Sequence, residues 1–305
     1  MVRARLVAPV LAALLALLAP SLAAASYGWP VKPFRRQHAI RAGFGDPRYH
    51  LAAGGRASGS FHFGVDIVAA DGSPVYAVAP GWVQSRHADW IAVCRVPTHC
   101  FEYWHVRGVV RSGTHVRLHQ LLGRVIRGWG HVHLSERMRG RYRDPLRRGA
   151  LTPFVDHTVP TVASMQVLGP QGGPVPTYAI SGPISILVRA YDTPPIVPPP
   201  PWNVALLAPE SLSWRLLRAD GSVLAGRTTI SFANRLPRNS LYGTVYAPGT
   251  YQNKPHRPGR YLYWVAHDLN TARFPNGTYT LEILARDSRG NVGSLTMPVA
   301  FANPG

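Results

Sequence analysis

Apolar and polar residues alternate with period two in short runs along most of this 305-residue chain, and turn-forming residues separate the runs. Such alternation sends every second side chain to one face of a strand, and no stretch of useful length repeats at helical spacing. Pro74 to Ala79 and Gly81 to Ser85 predict two strands that meet at a Pro80-Gly81 turn. Trp90 to Cys94, Phe101 to Val106 and Val116 to Val125 continue the series. Before them, Arg41 to Asp46 turns into a predicted loop running to Gly59, and its Ala- and Gly-rich part, Pro47 to Ser60, could wall a groove. Further on, strands are predicted at Thr161 to Leu168, Ile184 to Asp192, Leu212 to Leu217 and Ser222 to Phe232. Tyr261 to Ala266, Thr278 to Asp287 and Val292 to Phe301 complete that set. About seven strands with turns between them predict a β-sandwich. Thr193 to Trp202 holds six prolines, which lack the ladder donor, and so predicts a long loop within the sandwich. The fold class read from the pattern is all-β and antiparallel throughout.

Composition divides the chain. Residues 1–25 have Arg3 and Arg5, then an apolar core from Leu6 to Ala19, then Ala23-Ala24-Ala25, which is the layout of a cleaved export signal. The 14-residue apolar core is short of the ~20 residues that span a bilayer, and no later stretch could cross one. The remaining 280 residues suit two domains, 26–157 and 158–305. Histidines mark the boundary, since eleven of thirteen lie at or before His157. Cys94 and Cys100, in a chain that leaves the reducing cytoplasm, predict a small disulfide loop. Loss of the signal takes the formal charge from +19 to +17, with 19 basic and 8 acidic residues in 26–157. A balance this basic suits polyanionic surroundings. With export, cell-wall polymers and carboxylate-bearing peptides are the expected partners, and nucleic acid is not.

Two short stretches carry chemistry. Phe61-His62-Phe63-Gly64-Val65-Asp66-Ile67 offers an imidazole and a carboxylate four residues apart. Gly130-His131-Val132-His133-Leu134 offers two imidazoles at i and i+2, which share a face on a strand. Two His and one Asp form a three-ligand zinc set that leaves a fourth position open, the pattern of a catalytic site. Fully extended, positions 62 and 66 would stand roughly 13 Å apart. The chain must therefore bend between them, and Gly64 is the residue best able to bend. Glu136 lies three residues past His133, so alternation puts it on the opposite face and it is not nominated as a base.

The ordered set HFGVDI, DGSPVYAVAPGWV, Tyr103-Trp104-His105 and His131-Val132-His133-Leu134 resembles the lysostaphin/LytM-type zinc metallopeptidases, which cut peptide bonds in bacterial peptidoglycan. The resemblance covers about residues 29 to 136. It implies an antiparallel LytM-type peptidase domain with His62, Asp66 and His133 as zinc ligands, His131 as general base and His105 as a stabiliser of the transition state. Spacing alone leaves open which of His131 and His133 is the ligand; the resemblance orders them. The segment Arg124 to Gly130 is shorter than the corresponding Gly/Thr-rich loop of the family, so one groove wall should differ. Asn276 to Val292 resembles the closing hairpin of bacterial immunoglobulin-like domains, which implies an immunoglobulin-like β-sandwich for 158–305.

These readings predict an exported zinc metalloendopeptidase of the periplasm or cell envelope, or a secreted one. Two alternatives stand beside it: a catalytically silent cell-wall-binding or hydrolase-activating protein that keeps the peptidase fold, and a surface protein whose sandwich is the working part. All five site residues lie within 26–157, so that segment is expected to fold and cut soluble peptides by itself. Arg137, Arg139, Arg141 and Arg143 alternate, and on one strand would form either a basic wall beside the groove or a solvated edge; Arg147 and Arg148 follow. His115 and His119, four apart, are the one other pair spaced for a metal.

Overall fold

The computed structural model describes residues 26–51 and 57–304. The expected export signal, residues 1–25, lies outside them, as do residues 52–56 within the predicted groove loop. Strands dominate, and every pairing between them is antiparallel.

In the first half the strands are β1 (Ile40–Ala42), β2 (Pro47–Leu51), β3 (Ala57–Phe61), β4 (Val65–Val68), β5 (Pro74–Tyr76), β6 (Gly81–Arg86) and β7 (Trp90–Val96). They continue as β8 (His99–Trp104), β9 (Val106–Gly108), β10 (His115–Val116), β11 (Leu121–Val125), β12 (His131–Met138) and β13 (Arg141–Arg143). The main sheet runs β1-β4-β12-β8-β7-β6-β10, and β13 extends it beside β12. A small sheet β5-β11-β9 packs with it around Trp29, Val65, Ile67, Phe101, Tyr103 and Leu122, all fully buried. Cys94 and Cys100 face each other across β7 and β8 and are joined by a disulfide, as export and spacing predict.

Three predicted runs are interrupted. The loop predicted at Pro47 to Ser60 is a hairpin, β2 paired with β3, because Phe61 draws its end into an apolar core. Val116 to Val125 breaks into β10 and β11 at a turn where His119 takes a left-handed φ of 61°. The arginine run is folded in two: Arg139 and Gly140 both have positive φ (50° and 75°), the signature of a two-residue hairpin turn between β12 and β13. The four alternating arginines therefore do not line one face: Arg141 and Arg143 share a face of β13, and Arg137 lies on the other. Arg137 pairs with Glu102, Arg143 reaches the Asn234 carbonyl, Arg147 holds Glu136 with both Nη atoms, and Arg148 meets the Arg289 carbonyl. They act as struts, and no basic wall of the cleft is built from them.

The second half holds β14 (Thr161–Leu168), β15 (Pro183–Tyr191), β16 (Ser211–Leu217), β17 (Val223–Ser231), β18 (Leu262–Asn270), β19 (Gly277–Arg286) and β20 (Val292–Phe301). They form two sheets, β14-β15-β18 and β17-β16-β19-β20, which share one core. Burial alternates along β15 and β16, as a sheet with one face inward requires. A single helical turn, α1 (Tyr242–Val245), covers one end.

The halves exchange core residues. Phe44 and Phe61 from the first half are buried in the sandwich core, where the Phe61 ring lies 5.6–5.8 Å from those of Phe232, Tyr242 and Tyr246. Leu207 from the second half is buried in the first core. Asp46 bridges the seam by accepting hydrogen bonds from the Gly43 N–H (2.9 Å) and the Ala208 N–H (2.7 Å).

Candidate metal centre

The two chemical stretches meet because β4 and β12 pair with Asp66 opposite His133 and Val68 opposite His131. Directly opposed residues share a sheet face, so Asp66, His131 and His133 project to one side. His62 comes from the turn between β3 and β4. Its N–H donates to the Asp46 carbonyl (2.9 Å), and its carbonyl accepts from the Gly45 N–H (2.8 Å). The chain bends at Gly64, as the 62–66 spacing demands, but for a different physical reason. Gly64 has no left-handed φ. A Cβ there would collide with the Leu134 carbonyl and stand 2.7 Å from His133 Nε2 and 2.8 Å from Ser135 Oγ. Glycine supplies room for the ligand strand.

His62 Nε2, Asp66 Oδ1 and His133 Nδ1 form a triangle with edges of 2.7, 3.0 and 3.0 Å, and all three residues are buried. The outer nitrogens assign the protons. His62 Nδ1 lies 2.7 Å from the Gly43 carbonyl, which can only accept, so that nitrogen carries the hydrogen and Nε2 presents a lone pair. His133 Nε2 lies 2.7 Å from Ser135 Oγ, and donating there leaves Nδ1 as a second lone pair. Burial, helped by Arg48, pulls the pKa of His62 down to about 3 against the pull of Asp66, so the ring is neutral. Burial likewise lowers His133, against the pull of Asp66. Asp66 stays ionised: burial opposes it, but the surrounding imidazoles hold its pKa well below the usual range. Arg48 Nη2 donates to Asp66 Oδ2 at 3.1 Å and fixes the carboxylate plane. With His133 donating to Ser135, three lone-pair donors converge within 3.0 Å and repel one another unless a cation lies among them. Two imidazoles and one carboxylate with an open side suit zinc.

His131 and His105 line the same cleft. His131 Nδ1 is 2.7 Å from the Trp129 carbonyl and 2.7 Å from Arg41 Nη2, while Nε2 lies 3.5 Å from Asp66 Oδ1. β8 ends at Trp104, directly opposite His133. A regular strand would send the next residue to the other face, but His105 takes a left-handed φ of 64°, and both Trp104 and His105 reach the cleft. A strained backbone held at a site of this kind is a functional signal. The His105 ring stacks on Trp129 at 3.5 Å and lies 4.6 Å from the His131 ring. Burial first, then His131, pull the His105 pKa down to about 3. Glu136 is on the opposite face, as parity predicts, where Tyr27, His99 and Arg147 hold it. His119 stacks on Phe34 at 3.8 Å, and neither it nor His115 joins a group of three ligand-type residues among those described.

Among solved structures, the chain is similar to a zinc-containing peptidase from Vibrio cholerae (25% identity, 39% of this chain and 39% of that chain, TM-score 0.32). It is also similar to Csd3 from Helicobacter pylori (24%, 40% and 34%, TM-score 0.32). A third similar structure is the catalytic domain of the prophage-encoded M23 protein EnpA from Enterococcus faecalis (23%, 39% and 98%, TM-score 0.30). The chain thus spans well under half the length of the first two. No protein-family model matches the chain, and no curated protein does.

The cleft, about 500 Å³, also contains residues that no motif announces. Arg41 and Arg48 supply its positive charge. Trp202, Gln252 and Asn253 come from the second half and form one wall. Trp202 closes the proline run, which the sequence marks only as irregular. Asn253 is fixed by hydrogen bonds to the Leu206 carbonyl (2.7 Å) and from the Leu206 N–H (3.0 Å). A second group of ligand-type residues, Asp156, Asp192 and Asp287, is buried away from this cleft.

Proposed function

We propose that the chain is an exported zinc metalloendopeptidase acting on stem or cross-link peptides of bacterial peptidoglycan. His62, Asp66 and His133 are its metal ligands, and His131 and His105 its catalytic residues. The observation that carries this reading is the convergence of three proton-free donors in a cleft that holds two further imidazoles. Zinc held there would supply Lewis acidity toward the scissile carbonyl and acidify water toward a pKa of about 7. His131 turns Nε2 toward the triangle, 3.5 Å from Asp66 Oδ1, where it can take the proton of the attacking water. His105, neutral at working pH, donates an N–H to the oxygen on which negative charge develops. Arg48 holds Asp66 so that its Oδ1 stays aimed at the two imidazole nitrogens.

The peptidoglycan assignment rests on the motif set, the expected export signal and the basic surface. The sandwich, read as immunoglobulin-like, serves both as a wall of the cleft and as a means of holding polymeric substrate. Zinc measurement on purified protein and mass analysis of digested muropeptides test the reading. About one zinc per chain and discrete peptide products are expected, and His62→Ala, Asp66→Ala and His133→Ala should each empty the site. Full zinc retention in all three variants would refute the ligand assignment. Zinc-loaded protein that leaves every muropeptide intact would favour the silent binding role.

A further inference from the structure

We infer that Arg41, backed by Trp202, selects substrates that carry a carboxylate next to the scissile peptide bond; this deepens the peptidase reading and rests on it. Among the described residues the cleft is lined by two guanidinium groups and one carboxylate, Asp66. Arg48 is committed to that carboxylate at 3.1 Å. Arg41 makes no ion pair among the described residues. Among the described residues its one side-chain hydrogen-bond partner is His131, reached through Nη2 at 2.7 Å, and its Nε and Nη1 hydrogens meet no acceptor. The guanidinium is half-buried, and its carbon lies 4.0 Å from the centre of the Trp202 ring. Stacking fixes the plane of the fork while leaving its N–H edges free for a ligand.

A planar, forked donor set facing a cavity matches a carboxylate, which can accept two parallel N–H bonds at once. Arg41 touches the imidazole proposed to act as base, so a carboxylate held there lies within about one residue of the bond being cut. The pair is a built feature of the fold. The Trp202 carbonyl accepts from the Ala205 N–H and its N–H donates to the Pro199 carbonyl, both at 3.0 Å. Asn253 ties that segment to β1, reaching the Arg41 carbonyl at 3.4 Å. The selecting residue thus comes from the first half and the surface that flattens it from the second. The pair makes no hydrogen bond to His62, Asp66 or His133, so its assignment is to substrate choice.

The test uses the full mature chain and one soluble muropeptide in two forms, with free carboxylates and with the same groups converted to carboxamides. Cleavage by the zinc-loaded protein gives kcat/KM for each form. Tryptophan fluorescence titration of the metal-free protein gives their affinities without turnover. Wild type should prefer the acid form by about 10- to 100-fold in both measurements, the usual worth of hydrogen bonds to a charged group. Arg41→Gln should bind and cleave the two forms equally, with the loss on the acid form falling mainly on KM. Arg41→Lys and Trp202→Leu should retain part of the preference, since each keeps a cation but loses the fixed fork. Thermal unfolding and zinc content of each variant confirm that it is folded. Equal treatment of both forms by wild type, or an undiminished preference in folded Arg41→Gln, overturns the inference. If wild type cleaves neither form yet binds the acid form better, with that preference lost in Arg41→Gln, the peptidase reading fails and the carboxylate site stands.

Discussion

Gly64→Ala separates a metal site built on space from one built on backbone freedom. Gly64 has an ordinary φ, so alanine meets no conformational penalty there. What it meets is β12: its Cβ would lie against the Leu134 carbonyl, a backbone atom fixed by pairing with both β4 and β8, and 2.7 Å from His133 Nε2. Ordinary contact begins at 3.4 Å, so the imidazole must retreat by about 0.7 Å. Metal–ligand distances tolerate about 0.2 Å. Overpacking of this size costs about 1–3 kcal/mol of stability, and a displaced ligand should weaken zinc about 10- to 100-fold. Chelator competition reads the affinity and urea unfolding the stability. Gly72→Ala is the control: its φ of +77° strains any side chain, yet nothing lies within 4 Å of the new Cβ. It should cost about 1–2 kcal/mol and leave zinc affinity unchanged. Wild-type zinc affinity in Gly64→Ala, with an unchanged unfolding midpoint, would refute the steric account.

Further outcomes follow from the same geometry. His105→Ala and His131→Ala should keep their zinc and lose at least about 10²-fold in turnover, as expected of a lost donor or base; an empty site in His131→Ala with a full one in His133→Ala would reverse their roles. The shared core reverses the expectation that residues 26–157 suffice: alone they would expose Phe44 and Phe61 and lack the Trp202 wall, so zinc affinity and cleavage should both fall sharply relative to the full chain; a truncated form as active as the whole on soluble peptides would restore it. Phe61→Ala, in the intact chain, should cost about 3–5 kcal/mol in urea unfolding, the usual range for a core phenylalanine. Burial, with Asp156 and Asp287 adding to it, pushes the Asp192 carboxyl up to about 7 against a hydrogen bond from the Thr193 N–H. The folded state therefore binds a proton more readily than the unfolded chain, and this contribution is complete near pH 4 and lost as pH rises through 7. Asp192→Asn should match wild type near pH 4 and exceed it at pH 8 by about 2–4 kcal/mol; equal stability at both pH values would show that the carboxyl ionises freely.

That Asp66, His131 and His133 meet was legible in the sequence because strand parity restricts spacing; which of the two imidazoles joins His62 and Asp66 was ordered by the resemblance alone. Asp66, His131 and His133 needed only two antiparallel strands in the right register to meet. The same parity placed Glu136 on the far face. Where local backbone overrides periodicity, the pattern gave less. The left-handed turn at His105 and the Arg139-Gly140 hairpin both reassign faces, and neither His nor Arg announces a positive φ. Gly64 was legible as a bend and illegible as a clearance, since clearance depends on a strand some seventy residues away. Arg41 and Trp202 carried no signal at all. Each looks ordinary in its own segment and acquires meaning only through a partner about 160 residues distant.

The exchange of core residues across the seam also bears on timing. A ribosome delivers this chain from its N-terminus, so the four site histidines and Asp66 exist long before Trp202, Phe232 or Asn253 has been made. Phe61 cannot find its aromatic partners until residue 246 is available. A copy clipped before residue 202 would carry all five proposed site residues without the wall that Trp202, Gln252 and Asn253 give the cleft.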